Sequence, residues 1–375
     1  MKSLGQRASG LRLERMQASP LWSGSGFRNG YPVRPDLRQG AMPPMGEILC
    51  PRGRQLPAGP LPAMSPLADW LRPPATGLRA TWLGHSTVLV EIGGLRVLTD
   101  PVWGPRASPT RLAGPRRFQP VPLTVRELPP IDVVLISHDH YDHLDYPTIR
   151  ELVRHQPQAQ YVTTLGVGAH LEAWGVPPAR IAELDWWQAW QAPGAELAIH
   201  AAPSQHFSGR ALKDRNGTLW ASFALVGAHH RVFFSGDTGL TDAYALIRER
   251  LGPFDLVMLE VGAFHPAWGD IHLGPAHALE AHALLGGGLL LPVHWGTFCL
   301  AVHDWDEPVE TLLRLAPQHG APLVLPRLGQ TVEPPQVREQ GRPPEPWWRA
   351  VQGSGVLPPE PEMAPLPKSV QWPLD

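Results

Sequence analysis

Cysteine is scarce in this chain: Cys50 and Cys299 are the only two among 375 residues, and they lie far apart. A disulfide framework and a thiolate metal site are therefore excluded, and a reducing compartment fits. Uninterrupted apolar runs of bilayer-spanning length are missing too. The first residues carry Lys2, Arg7, Arg12 and Arg15 without the apolar stretch of a secretory signal, so the expected location is cytoplasmic, with contact at most at the periphery of the inner membrane. Charge of one sign is lacking as well. With 32 Lys and Arg against 34 Asp and Glu, the formal net charge is −2 at pH 7, whereas a nucleic-acid grip would show a basic excess or stripe. What the chain does have is apolar substance: 43% hydrophobic residues suffice for a sizeable core in one large domain or two.

Periodicity divides the chain into three stretches. Residues 1–75 are rich in Pro, Gly and Arg and carry turn signals such as Asn29-Gly30 and Arg72-Pro73-Pro74. They predict an irregular N-terminal arm that needs a neighbour to pack on, with Leu21, Trp22, Phe27 and Tyr31 as candidate anchors. Residues 76–333 alternate strand and helix signals. Thr81 to Ile92 and Leu95 to Thr99 flank Gly93-Gly94, a hairpin signature, because the favoured two-residue turn needs positive φ. Ile131 to Ile136, opened by Pro129-Pro130, is an apolar β-branched run that predicts a fully buried strand. Further strands are expected at 160–165, 181–184, 196–202, 221–226, 232–235, 256–261, 289–293 and 323–325, and helices at 147–156, 167–174, 242–251, 276–285 and 309–315. A hairpin followed by such alternation predicts mixed α/β sheets covered by helices. Residues 334–375 read as a Pro-rich, poorly ordered tail that Trp347-Trp348 tacks down.

The densest chemistry is Ser137-His138-Asp139-His140-Tyr141-Asp142-His143, at the end of the apolar strand. Alternate residues of extended backbone point the same way, so His138 and His140 converge on one ion, while Asp142 and His143, past the bend, are free to turn to a second. The bland alternative is a solvated His-rich turn. An unpaired imidazole cluster at a buried strand end would repel itself once protonated, however, and a divalent cation turns that repulsion into binding.

Three later segments repeat the pattern of an apolar strand followed by a ligand-type residue, ending in His206, Asp237 and His294. The simplest assembly puts His138, His140 and His206 on one ion and Asp142, His143 and His294 on the other, with the carboxylate of Asp237 bridging. Taken singly, His206 or His294 reads more often as a hydrogen-bonded core histidine, and Asp237 as a turn cap. His85 and Asp100, at the ends of the first hairpin, are expected behind the ligands, Asp100 accepting a ligand histidine's distal N–H; a turn-stabilising pair is the alternative. Among the 15 tryptophans, Trp103, Trp186, Trp187, Trp268 and Trp295 are candidates either for an apolar groove or for the core.

The H-x-H-x-D-H run with its later His, Asp and His resembles the metallo-β-lactamase fold hydrolases, a four-layer αββα sandwich with a dinuclear zinc site. More narrowly, GHSTVLVE, LTDP, GPRRF, ELPPIDVVLISHDHYDHLDY, ELDWW, PSQH, FFSGDTG, GPFDL and HWGTF resemble the N-acyl-phosphatidylethanolamine-hydrolysing phospholipase D family over roughly residues 80–305. The resemblance implies two Zn2+ per chain on the same seven ligands, and it matches His272, in Ile271-His272-Leu273-Gly274-Pro275, to a histidine beside the scissile phosphate. Imidazole-rich ligation without thiolates favours zinc over iron or manganese. Two zinc ions about 3.5–4 Å apart would lower the pKa of a shared water toward neutrality, and in-line attack at phosphorus would expel an alcohol. Asp142 and His272 are the candidate catalytic residues, His272 orienting the phosphate or protonating the leaving group; nearby His265 reads as structural. The segment around His272 and the N-terminal arm depart from the animal enzymes. Expected partners are a phospholipid or other phosphodiester, a membrane surface and a second copy of the chain in a homodimer. Hydrolysis of a lactone, thioester or β-lactam is the alternative activity, and a non-catalytic metal-binding scaffold the alternative class.

Overall fold

The computed structural model describes residues 2–32, 34, 36–44, 53–211 and 213–351. Cys50 and the tail from 352 onward lie outside the described residues. Two sheets form the body. One has seven strands, in spatial order Thr331–Val332, Leu78–Gly84, Thr87–Ile92, Leu95–Thr99, Val133–Leu135, Gln160–Thr164 and Ile181–Leu184. The other has six: Leu289–Val293, Leu256–Glu260, Arg231–Phe234, Ser222–Gly227, Leu197–Ala202 and Ala189–Gln191. Each sheet is antiparallel on one side and parallel on the other; the parallel part is built by strand–helix–strand crossovers, except that a long loop with the short turn Val125–Glu127 joins Leu95–Thr99 to Val133–Leu135.

Alternation along the strands decides the layering. In the first sheet, Val88, Val90, Val97 and Val133 face the second sheet, among Leu197, Phe223, Leu225 and Val232. Their neighbours Leu89, Leu98 and Val134 point the other way, onto Ile149 and Leu152 of the helix Tyr146–His155 and Val167 and Leu171 of the helix Val167–Ala173. Helices Ala243–Leu251, Gly274–Leu284 and Glu307–Leu315 cover the far face of the second sheet, through Tyr244, Ile247, Leu279 and Leu312. The result is a four-layer αββα sandwich, the architecture that the family resemblance implies, within the mixed sheets covered by helices that the pattern of elements predicts.

Most strands and helices lie within a residue or two of the positions predicted, and the Gly93-Gly94 turn takes φ values of 58° and 79°. The departures have identifiable causes. Thr81 to Ile92 is not one strand but parts of two, broken at His85-Ser86, where His85 takes φ 52° and the register shifts between Trp82 and Gly84. Leu323 to Leu325 forms only a bridge, Leu290 to Leu323, because a single residue there meets the neighbouring edge. The short edge strands Ala189–Gln191 and Thr331–Val332, without strong periodicity, were not foreseen. The arm is less irregular than its composition implies: Gly10–Gln17 is helical, and Met16, Leu21 and Phe27 bury against Leu165, Leu219 and Trp220. Trp22 and Tyr31 are only partly buried, Tyr31 stacking on Trp186 at 6.3 Å. Past Glu333, Pro334–Gln340 is a helix, and Trp347 and Trp348 pack on Trp295 at 6.0 and 5.9 Å. Among the described residues, no helix is long and apolar enough to cross a membrane.

Trp348 is fully buried and donates Nε1–H to Glu310 at 2.8 Å. Trp348→Ala should therefore lower the unfolding free energy by about 3–5 kcal/mol in urea titration; a loss under about 1 kcal/mol would mean that the segment is a passenger.

Candidate metal centre

The topology brings the carboxyl ends of seven strands to one edge of the sandwich. His85 follows Leu78–Gly84, Asp100 follows Leu95–Thr99, and the His138 run follows Val133–Leu135. From the second sheet come His206 after Leu197–Ala202, Asp237 after Arg231–Phe234, Glu260 at the end of Leu256–Glu260, and His294 directly after Leu289–Val293. Parallel neighbours necessarily end on the same side, which is why residues so distant in sequence meet. Three of them sit in the left-handed region that non-glycine residues avoid: His85 at φ 52°, Asp100 at 31° and His294 at 66°. Such backbone is held only by its surroundings and is concentrated at functional sites.

The side chains fall into two groups sharing one carboxylate. In the first, His140 Nδ1 lies 2.9 Å from His138 Nε2 and 3.2 Å from His206 Nε2. Asp237 Oδ2 is 3.8 Å from His138 Nε2 and 3.7 Å from His206 Nε2. In the second, Asp142 Oδ2 lies 3.0 Å from His85 Nε2, 3.2 Å from His294 Nε2 and 3.4 Å from His143 Nε2. Asp237 reaches this group too, Oδ1 at 3.1 Å from His143 Nε2 and Oδ2 at 3.2 Å from His294 Nε2. All seven expected ligand residues are thus brought together, with Asp237 between the halves.

The far nitrogens of His143, His138 and His206 are tied down, which fixes the tautomers of those three rings. Asp100 Oδ2 accepts from His143 Nδ1 at 2.6 Å and from Ser137 Oγ at 2.6 Å, and Ser137 Oγ in turn meets His138 Nδ1 at 2.9 Å. His206 Nδ1 donates to the Ile271 carbonyl at 2.9 Å. His85 stands closer than its expected place behind the ligands, directly beside Asp142, His143 and His294. His272 is half a step removed: its Nδ1 meets Glu260 Oε2 at 3.0 Å, and its ring packs on His206 and His294. His265 accepts from Ala267 N at 3.1 Å and caps a short turn.

Burial and neighbouring charge pull these groups apart in acidity. Burial holds His138 and His206 well below the usual imidazole range, so both are neutral donors. It penalises Asp142 and Asp237 as well, yet the surrounding imidazoles, His143 foremost, keep both well below the usual carboxylate range. Conversely, burial opposes charge on His294, but Asp237 and Asp142 outweigh it and push its pKa up to about 10. Glu260 outweighs the burial of His272 in the same way and raises it.

These residues suit divalent metal. Imidazole nitrogens and carboxylate oxygens are the donors zinc takes, each group supplying four of them. His143 Nε2 and Asp237 Oδ1 face one another without the alignment of a hydrogen bond, and both are buried without a partner. Orphaned buried polar atoms cost about 1–3 kcal/mol each, a cost that coordination removes.

Glu260 escaped the sequence reading. It is fully buried and accepts from Thr238 N at 3.0 Å, Leu273 N at 3.1 Å and His272. The signal was present: it is an acid closing the apolar run Leu256–Glu260, the pattern that located the other residues. Arg210 was missed as well. It is buried, stacks 4.0 Å from the Tyr141 ring, and donates to Asp139 O at 2.5 Å and Leu144 O at 2.8 Å, clasping the histidine loop. Above the centre opens a cavity of about 450 Å³, with Met42, Phe207, Arg215, Trp268, His272 and Leu300 in its wall. Of the tryptophans considered for such a groove, Trp268 lines it, whereas Trp295 is buried against Trp82 at 5.1 Å.

This edge of buried imidazoles and carboxylates on an αββα sandwich defines a metal-dependent hydrolase. Comparison with known proteins names the kind. The β-lactamase superfamily domain matches residues 95–295. An uncharacterized protein of Mycobacterium tuberculosis is 48% identical over 81% of this chain and 80% of its own length. The N-acyl-phosphatidylethanolamine-hydrolyzing phospholipase D 1 of Caenorhabditis elegans is 38% identical over 64% of this chain and 70% of its own. Among solved structures, an isothiocyanate hydrolase from Delia radicum gut bacteria shares the fold, with a TM-score of 0.54 at 18% identity over 68% of this chain and 98% of that one. The chain belongs to the metallo-β-lactamase superfamily and, within it, to the family of the N-acyl-phosphatidylethanolamine-hydrolysing phospholipases D.

If Asp100 orients His143 and Ser137 for metal, Asp100→Asn, which keeps the shape and removes the charge, should weaken zinc binding roughly 10- to 100-fold in competition with a chromophoric chelator. Unchanged affinity with lowered thermal stability would make it a turn-stabilising residue instead.

Proposed function

We propose that the chain hydrolyses a phosphodiester bond, in a phospholipid such as N-acyl-phosphatidylethanolamine, expelling an alcohol in the manner of a phospholipase D. The observation that carries the reading is the pairing of the two His/Asp groups around Asp237 with a family whose Caenorhabditis elegans and Saccharomyces cerevisiae relatives bear that activity in their names. His138, His140, His206 and Asp237 would hold one zinc ion; His85, Asp142, His143 and His294, with Asp237, would hold the other. A bound pair of divalent cations supplies Lewis acidity toward phosphoryl oxygens and toward water.

The chain's own residues do the rest. Asp142, with its side chain 14% exposed, is more open than Asp237 at 2%, and suits the role of taking a proton from the attacking water. Glu260 accepts from His272 Nδ1–H and favours the doubly protonated ring, whose Nε2–H would donate to a phosphoryl or leaving oxygen. The Arg215 guanidinium rides over the Phe207 ring at 4.5 Å, and that ring packs on His140 and His206 at 4.5 and 4.8 Å, so a cation stands at the mouth of the site. Arg215 fits an anionic headgroup, and the apolar flank of Met42, Trp268 and Leu300 fits acyl chain.

Zinc-loaded protein should turn over N-acyl-phosphatidylethanolamine or a simpler phosphodiester and leave lactone, thioester and β-lactam substrates intact; the opposite selectivity would overturn the reading, and inertness toward every substrate at full metal occupancy would leave only a scaffold. His272→Ala should reduce kcat on the phosphodiester by roughly 10²–10⁴ with metal content unchanged. Full turnover in that variant would remove His272 from the chemistry.

A further inference from the structure

His206 lies between the strands Leu197–Ala202 and Ser222–Gly227, in a stretch without any strand ladder to hold its backbone. Its main-chain groups are instead paired by a side chain 177 residues away. The Asn29 carboxamide donates Nδ2–H to His206 O at 3.0 Å and accepts from His206 N at 3.1 Å. The same Oδ1 accepts from Trp220 Nε1 at 3.1 Å, so the amide is anchored to a buried ring. Only an amide offers a donor and an acceptor side by side, and here they mimic a neighbouring strand for one residue. The ring of His206 is held separately, through Nδ1 on the Ile271 carbonyl.

The arm that carries Asn29 is seated close by. Phe27 N donates to Asn216 O at 2.8 Å, and Met16, Leu21 and Phe27 pack on Leu165, Leu219 and Trp220. A second contact reaches the histidine loop from the other end of the arm. The carbonyl of Ser3 accepts from Arg210 Nη2 at 2.8 Å, and Arg210 clasps the carbonyls of Asp139 and Leu144. Gln6 N donates to His170 Nδ1 at 2.9 Å, and His170 Nε2 lies 3.5 Å from Asp139 Oδ2. The arm thus braces both ligand-bearing loops.

We propose that Asn29 is a positioning residue of the metal centre, acting through the backbone of His206, and that the N-terminal arm is accordingly a component of that centre rather than an appendage to it. The inference rests on the reading of His206 as a ligand. A ligand loop held only by its own turn would sample other positions of the imidazole, and the ion shared with His138, His140 and Asp237 would dissociate faster.

The test compares zinc-loaded full-length protein, Asn29→Ala, His206→Ala and the double variant under challenge by a chelator, with secondary structure followed by circular dichroism. Asn29→Ala should release one zinc roughly 10- to 100-fold faster than wild type while the other is retained, and the double variant should lose no more than His206→Ala alone. Asn29→Asp, which keeps the acceptor for His206 N–H and Trp220 but loses the donor, should fall between, and it serves as the test if Asn29→Ala does not fold. Wild-type zinc retention in both Asn29 variants, or effects that add in full to His206→Ala, would overturn the role of Asn29 while leaving the metal site standing. Wild-type retention in His206→Ala would instead overturn the ligand reading beneath it.

Discussion

The carboxylate of Asp237 is the constraint around which the rest is arranged. Its oxygens approach His138 and His206 on one side and His143 and His294 on the other, at 3.1 to 3.8 Å, with its side chain only 2% exposed. A lone carboxylate so deeply buried costs several kcal/mol after relaxation. It is tolerable because positive charge or imidazole donors surround it on every side, and a divalent cation in each half would supply that charge while displacing the protons that Asp237 holds on His143 and His294. Removing any one partner leaves charge uncompensated, so the cluster holds as a unit.

The sandwich meets that demand by its topology. Parallel pairing of Leu95–Thr99 with Val133–Leu135, and of Arg231–Phe234 with Leu256–Glu260 and Leu289–Val293, makes five strands end on one edge. Apolar strand bodies keep the layers together through a core that includes Val90, Val133, Phe223 and Leu291. Their last residues then leave the core with backbone already rigid on one side. The strained dihedrals of His85, Asp100 and His294 show where that rigidity is used to aim a side chain. Behind the imidazoles, Asp100, Glu260 and the Ile271 carbonyl set which nitrogen faces inward.

How much of this was legible in the sequence follows from how local each signal is. The His138 run is contiguous and stands after a buried strand, so spacing alone suggested that it turns toward two positions. His206, Asp237 and His294 were found because the rule of an apolar strand ending in a ligand-type residue repeats, and the resemblance to a known family covered the same positions. Glu260 obeys that rule too, but a lone acid at the end of Leu256–Glu260 also reads as a solvated strand end, and only its three donors show otherwise. The break at His85-Ser86 was hidden because Gly84-His85-Ser86 lies between two strand-like apolar runs, Trp82-Leu83 and Val88-Leu89-Val90, and the turn rests on contacts with Thr297 and Asp142 far along the chain. The helix Gly10–Gln17 and the Asn29 clamp were invisible for the same reason: their partners, Glu183, Trp220 and His206, lie more than 160 residues away. Local pattern therefore carried the layers and most of the metal-facing residues, and long-range polar contacts carried the remainder.

The arrangement depends on Asp237 lying between two cations. Anomalous diffraction at the zinc edge from zinc-soaked crystals measures this directly. Two peaks are predicted, one among His138, His140 and His206 and one among Asp142, His143 and His294, each within coordination distance of Asp237. No peak at this edge of the sandwich, or a single ion that Asp237 does not touch, would contradict it.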